Sequence, residues 1–272
     1  MPDFTVTPLH PSLGAEISGI ALSRPMDGET REALDRALAE HLALVFRDQS
    51  FTPPQYLAAA EAFGPPMRQH YSQHNMPEYP DIGLVWHRNG QRPAERWHTD
   101  HTNRERPPAA TILFGAEIPS AGGETSVANM RAAYQALPEE ERARLRELRT
   151  VNSLDSGKDD TRPEDWDKYS APILHPMVRT HPVHGSDAVY FHVTKTLCIE
   201  GMGPGESRAY LQDLIERMIR PEIVYTHRWR KGDVLVIDDR ATMHRAHGDY
   251  DRRESRILWR IIVEGDRPRL LT

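Results

Sequence analysis

One cysteine, Cys198, stands in a chain of 272 residues. A lone thiol excludes an intrachain disulfide and any zinc or iron–sulfur centre built from cysteines. No stretch approaches the roughly 20 apolar residues that span a bilayer. The opening "MPDFTVTPLHPSLGAEI" lacks the basic start and apolar run of a secretory signal. A long basic block is missing too, since "RWRK" (228–231) and "DRRESR" (251–256) are short and the net charge is −6. These absences argue against a nucleic-acid partner and a membrane partner, and they set the expectation of a cytoplasmic protein. Histidine and proline are plentiful instead, at 14 and 22, which suits a loop-rich fold better than a helical bundle.

The hydrophobic pattern organises the chain as one domain over 1–272. In "ETREALDRALAEHLALVFRDQ", Ala33, Leu34, Ala37, Leu38 and His41 repeat at helical spacing, and Leu42 to Phe46 continue as an apolar strand. A second helix is punctuated by Thr52 as N-cap, Pro53 in the first turn, Gln55 to complete a capping box, and Gly64-Pro65 as the stop. Short strands follow: "DIGLVW", "AATILFGAE", "AVYFHV", "DVLVIDD" and "RILWRIIVEG". Helices are expected at 129–148, capped by Asn129, and at 204–220. The polar stretch 152–172 is too long for an ordinary connector, so it reads as an active-site lid or an insert. The expected architecture is mainly β with flanking helices, a barrel or sandwich.

"ERWHTDHT" (95–102) places His98 and Asp100 two apart, on one side of an extended segment. Alone this H-x-D is weak, and it recurs as His247-Gly248-Asp249. A further candidate, His244, follows the apolar strand Val234–Ile237. Two imidazoles and a carboxylate on one face of a metal leave positions open for a co-substrate and O2, as in non-haem Fe(II) oxygenases. Along "SRILWRIIVEG", Arg256 and Arg260 share a face with Leu258 and Ile262. Arginines in so apolar a strand are costly if buried unpaired, so this face is wet or meets an anion such as a carboxylate.

Those segments, with "PPAATILFGAEIPSAGGETSVANMRAAYQALP" (107–138), "HPMVRTHP" (175–182) and "WRKGDVLVIDDRATMHRA" (229–246), occur in an order and spacing that is specific. The chain resembles the taurine dioxygenase family of Fe(II)/2-oxoglutarate-dependent oxygenases, which includes chlorophenoxyacetate dioxygenase. The resemblance runs from about Phe4 to Pro268. It implies a double-stranded β-helix, a cupin-like jelly roll with the metal inside. It implies that His98, Asp100 and His244 hold Fe(II), that Thr125 and Arg256 hold the far carboxylate of 2-oxoglutarate, and that Arg260 lies beside the near carboxylate and the substrate. A carboxylate at position 100 favours hydroxylation, since a small residue there would open a halide site as in related halogenases.

The implied substrate is a small organic anion: a sulfonate, a sulfate ester, an aryloxyalkanoate or an amino-acid-like carboxylate. His70 falls where the taurine enzyme presents a histidine to its sulfonate. Lys195, in "TKTL", stands where that enzyme has an aromatic residue, which disfavours taurine itself. The implied assembly is a homo-oligomer, a dimer or tetramer. Two rival readings use the same residues: a hydrolase in which the triad holds zinc and activates water, and a non-catalytic barrel binding a small ligand. A built-in dicarboxylate anchor is of no use to a simple hydrolase, and a non-catalytic barrel would not need a complete triad.

Overall fold

The computed structural model describes residues 4–86, 94–154 and 162–271. Ten strands frame the site: β1 (Thr5–Pro8), β2 (Ala15–Ser18), β3 (Ala43–Phe46), β4 (Tyr79–Trp86), β5 (Pro108–Glu117), β6 (Thr125–Asn129), β7 (Val224–His227), β8 (Val234–Asp238), β9 (Thr242–Ala246) and β10 (Ile257–Glu264). The helices are α1 (Gly28–His41), α2 (Pro53–Ala60), α3 (Met130–Gln135), α4 (Glu139–Glu147), α5 (Pro163–Tyr169) and α6 (Pro204–Met218). The larger sheet runs β1-β2-β3-β8-β5-β10-β4, and a smaller one runs β7-β6-β9. All these neighbours pair antiparallel except β2 and β3.

Strand alternation sorts side chains into two cores. Leu113, Leu235, Ile237 and Leu258 of the larger sheet join Val127, Ala128 and Met243 of the smaller one, so the sheets close on a shared interior. Ile112, Phe114, Val234, Val236, Ile261 and Val263 point the other way, onto Leu34 and Leu38 of α1 and Tyr56 and Ala60 of α2. Each fully buried aliphatic side chain contributes about 1.5–3 kcal/mol relative to exposure. This is the expected mainly β fold with helices outside. Arg256 and Arg260 precede and enter β10 on the interior side, with Leu258 between them.

Two sequence expectations are corrected. The helix at 129–148 is two helices, α3 and α4, because Pro138 disfavours helical backbone at the residue before it. Asn129 does cap α3, accepting from Arg131 N at 3.1 Å and Ala132 N at 3.0 Å. Of "AVYFHV" (188–193) only Ala188 and Val189 lie in a strand, the short Asp187–Val189. His192 Nδ1 accepts from the backbone N–H groups of Thr194 (3.1 Å) and Lys195 (3.3 Å), which turns the chain out of extended pairing. The segment 152–172 contains α5, and residues 155–161 of this expected lid or insert lie outside the described residues. Its flanks are docked: Asp165 accepts from Ser72 N and Oγ, and Ser153 Oγ donates to Ser170 O. Among the described residues no helix is long and apolar enough to cross a membrane.

Candidate active site

His98 pairs antiparallel with His244 of β9, with His98 N donating to His244 O (3.1 Å) and His244 N to His98 O (2.7 Å). Direct opposition sends both side chains to one side, and their ring centroids lie 4.4 Å apart. Asp100, two residues on, shares that side, with Oδ1 3.9 Å from His98 Nε2. One ligand atom each from His98, Asp100 and His244 falls within 4.8 Å of the others, and all three residues are buried. The group could hold a metal ion.

The chemistry of the donors fits. Arg96 O can only accept, so His98 Nδ1, at 2.7 Å, carries the ring proton and Nε2 keeps its lone pair. Burial lowers His98 and takes His244 down to about 3, leaving both imidazoles neutral at neutral pH. Burial opposes charge on Asp100, but Arg260 Nη1, 3.6 Å from Oδ2, and the adjacent imidazoles hold its carboxyl well below the usual range. Thr111 Oγ1 lies 2.8 Å from Asp100 Oδ2 and 2.7 Å from Asp239 Oδ2. One hydroxyl proton serves one carboxylate, so the other contact takes a proton from a carboxyl. Burial and the charge of Asp100 push Asp239 well above the usual range, which favours the proton on Asp239 over Asp100. The backbone NH of Asp100 also approaches Asp239 Oδ1, at 3.4 Å.

A second feature lies between β6 and the start of β10. Arg256 is 3% exposed; its Nε donates to Gly123 O at 2.9 Å and its Cζ lies 5.9 Å from the Tyr250 ring centre, while Nη1 and Nη2 are buried with no hydrogen-bond partner among the described residues. Gly123 adopts φ +74°, and a Cβ there would meet Arg256 Nε at 2.9 Å, so glycine is required on both counts. Burial lowers Arg256 only to about 10, so it stays cationic. Thr125 Oγ accepts from Trp229 Nε1 at 3.0 Å, which leaves the hydroxyl proton available to an acceptor. A charged fork with two unanswered donors fits a carboxylate.

The other expected residues differ in state. Arg260 donates through Nε to Gln69 Oε1 and reaches toward Asp100. Lys195 is buried, its ammonium 5.6 Å from the Tyr71 ring centre, and its carbonyl accepts from Ser153 N. His70 has both ring nitrogens engaged: Nε2 bonds Asn103 Oδ1 at 2.8 Å and Nδ1 lies 3.2 Å from Arg104 Nη2. Its ring also packs against Tyr169 and His101 at 4.3 Å. Burial, then Arg104 and Lys195, push His70 well below its ordinary value.

The second H-x-D is not a bare surface pair: Glu124, His247 and Asp249 also converge within 4.8 Å, beside an open cleft of about 280 Å3. There, though, His247 Nε2 bonds Ser126 Oγ and Asp249 Oδ1 accepts from Gly123 N. Sequence reasoning missed Thr111, Asp239, Gln69 and His192, whose ring lies 5.4 Å from that of His98. None carries a local motif, and only tertiary contact brings them to the site.

The family model for "Taurine catabolism dioxygenase TauD, TfdA family" matches residues 5–262. The chain belongs to this family. An alpha-ketoglutarate-dependent sulfate ester dioxygenase of Pseudomonas putida is 33% identical, over 98% of this chain and 91% of that protein. An (S)-phenoxypropionate/alpha-ketoglutarate-dioxygenase of Sphingobium herbicidovorans is 30% identical, over 97% and 96%. The crystal structure of AAD-2 in complex with Mn(II) and N-oxalylglycine superposes with a TM-score of 0.82 at 30% identity, covering 97% of this chain and 98% of that one. The chain is thus a 2-oxoglutarate-dependent dioxygenase, an oxidoreductase.

Proposed function

We propose that His98, Asp100 and His244 hold Fe(II), that Arg256 and Thr125 bind the far carboxylate of 2-oxoglutarate, and that the enzyme hydroxylates a small organic anion. The observation that carries this is Arg256: two buried cationic donors with no hydrogen-bond partner among the described residues, in a barrel that also offers a His/Asp/His face. A hydrolase using the same ligands has no need of such an anchor. Bound iron supplies O2 activation, by which 2-oxoglutarate becomes succinate and CO2 and a substrate C–H bond is hydroxylated.

The protein's part is positional. Arg256 fixes one end of the co-substrate through charge-assisted hydrogen bonds, with Thr125 adding a donor oriented by Trp229. Arg260 meets carboxylate charge near the metal ligands. Lys195 supplies positive charge at the same site, as its effects on His98, His101 and His192 indicate. The burial of Thr125, Lys195 and Arg256, with that of His98, Asp100 and His244, excludes water and strengthens these interactions. Sulfonates, sulfate esters, aryloxyalkanoates and amino-acid-like carboxylates all carry the matching charge. His70 contributes ring surface, since its nitrogens are already bonded.

Anaerobic titration with Fe(II) and 2-oxoglutarate, followed by a panel of these anions and neutral analogues of matched size, tests the reading. Substrate-dependent succinate release is expected with anions. Equal turnover of neutral analogues would remove the anionic class.

A further inference from the structure

Arg260 is held by one side chain from another part of the chain. Gln69, 1% exposed, accepts from Arg260 Nε through Oε1 and donates from Nε2 to Arg260 O at 2.9 Å. Both ends of one amide thus grip the backbone and the side chain of the same residue, which fixes how the arginine leaves its strand. The opposite position on β4 is Gly83, directly paired with Arg260. Its backbone does not demand glycine, since its φ is not positive. Space does: a Cβ at Gly83 would lie 2.7 Å from Gln69 Nε2 and 2.8 Å from Oε1.

We propose that Gln69, seated in the slot left by Gly83, is a positioning residue that keeps Arg260 available to the ligand's carboxylate instead of letting it close on Asp100. The distances define the need. Arg260 Nη1 stops 3.6 Å from Asp100 Oδ2, beyond hydrogen-bond range. A flexible arginine beside a buried carboxylate would otherwise close that gap and form a bidentate pair. Such a pair would occupy the Asp100 oxygens that face the metal site and would withdraw the guanidinium from its ligand. Gln69 prevents this by anchoring Nε on the far side. The inference rests on the role given to Arg260 under the proposed function.

The test uses the full chain loaded with Mn(II) and measures N-oxalylglycine binding by calorimetry, so turnover is not needed. Gln69→Met removes both hydrogen bonds at nearly constant volume, and Gly83→Ala pushes the amide out of its slot. Each is expected to raise Kd about 10-fold, because part of the binding energy must then go into ordering Arg260 and reopening its pair with Asp100. Arg260→Ala should raise it more, and Gln69→Met should add nothing in the Arg260→Ala background. Thermal unfolding of each ligand-free variant reports folding, so loss of one variant leaves the other. A purely structural glutamine would lower stability and leave Kd alone. Unchanged Kd in Gln69→Met with Arg260→Ala impaired overturns the positioning role, as does an equal Gln69→Met effect in both backgrounds. Unchanged Kd in Arg260→Ala overturns the assigned role of Arg260 itself, and the positioning role with it.

Discussion

Arg256 and His70 are buried to the same degree, 3% and 1% exposed, yet their polar atoms are in opposite states. Arg256 turns two cationic donors into the interior with no acceptor among the described residues. His70 has an acceptor on one nitrogen and a guanidinium on the other, with rings on both sides. A buried charge without a partner is costly, so a fold that keeps one is shaped for something that arrives later. A satisfied buried histidine needs no ligand to explain it. Under the proposed function, the contrast separates the part of the site that binds from the part that supports.

The largest effect should come at the metal face, where His98 and His244 are neutral lone-pair donors and Asp100 is ionised. Alanine at any of the three should weaken Mn(II) or Fe(II) binding by roughly 100-fold or more, above the usual effect of disturbing a ligand's supporting contacts. His247→Ala should leave it within about twofold, because that ring is committed to Ser126. Calorimetric titration decides, and metal loss on replacing His247 would move the site to the other cluster.

Next comes the contrast itself. Arg256→Met should raise the Kd for 2-oxoglutarate about 100-fold, since charge-assisted hydrogen bonds in a shielded site are lost. The same change should leave the ligand-free protein equally or more stable, because an unpaired buried charge is removed. His70→Leu should do the reverse: lose about 1–3 kcal/mol of stability, as Asn103 Oδ1 is left unanswered, with 2-oxoglutarate affinity changed less than about threefold. If Arg256→Met unfolds the protein while His70→Leu abolishes binding, the distinction fails.

Much of the binding part was legible in the sequence, and the supporting part was not. The H-x-D segment, the strand leading to His244 and the alternation around Arg256 and Arg260 are local patterns, and each landed where the pattern put it. Thr125 needed the family resemblance, because nothing local shows that Trp229 will orient its hydroxyl. His70 is expected near the substrate from the family resemblance alone, and its partners, Asn103 and Arg104, come from 33 and 34 residues away, so no local pattern shows them. Asp239 is one of two adjacent aspartates. Only the fold shows that Asp238 pairs with Arg240 and His181 while Asp239 shares Thr111 with Asp100. Helix 129–148 failed for a local reason, the weight given to helical spacing over Pro138.

A smaller, distributed effect concerns pH. His70, His98, His101, His192 and His244 are all lowered by burial below their ordinary value of 6.5. The folded state then binds fewer protons than the unfolded chain below about pH 6.5, and stability falls as pH drops from there. Each histidine adds up to about 1.4 kcal/mol per pH unit. Ligand-free protein should lose Tm steeply between pH 6.5 and 5, and Mn(II) should raise Tm at each pH without flattening the slope, because a metal-bound imidazole takes up no proton either. A flat Tm over that window would contradict the burial assigned to these rings.

The smallest effect tests whether Trp229 acts on the co-substrate through Thr125. Trp229 is 8% exposed and packs edge-on to His227 with ring centroids 4.6 Å apart. Trp229→Phe keeps most of that packing and removes only the Nε1–H that Thr125 accepts. Without it the Thr125 hydroxyl is free to rotate, and its proton no longer points reliably at the carboxylate beside Arg256. One neutral hydrogen bond is worth about 0.5–1.5 kcal/mol, so 2-oxoglutarate affinity should fall about 3–10-fold. Thr125→Val removes the acceptor and the donor together and should cost at least as much. Combining the two should cost no more than Thr125→Val alone, because the tryptophan then has nothing left to orient. An additive double variant would show that Trp229 shapes the pocket directly, by its bulk, and that the hydrogen bond to Thr125 is incidental to binding.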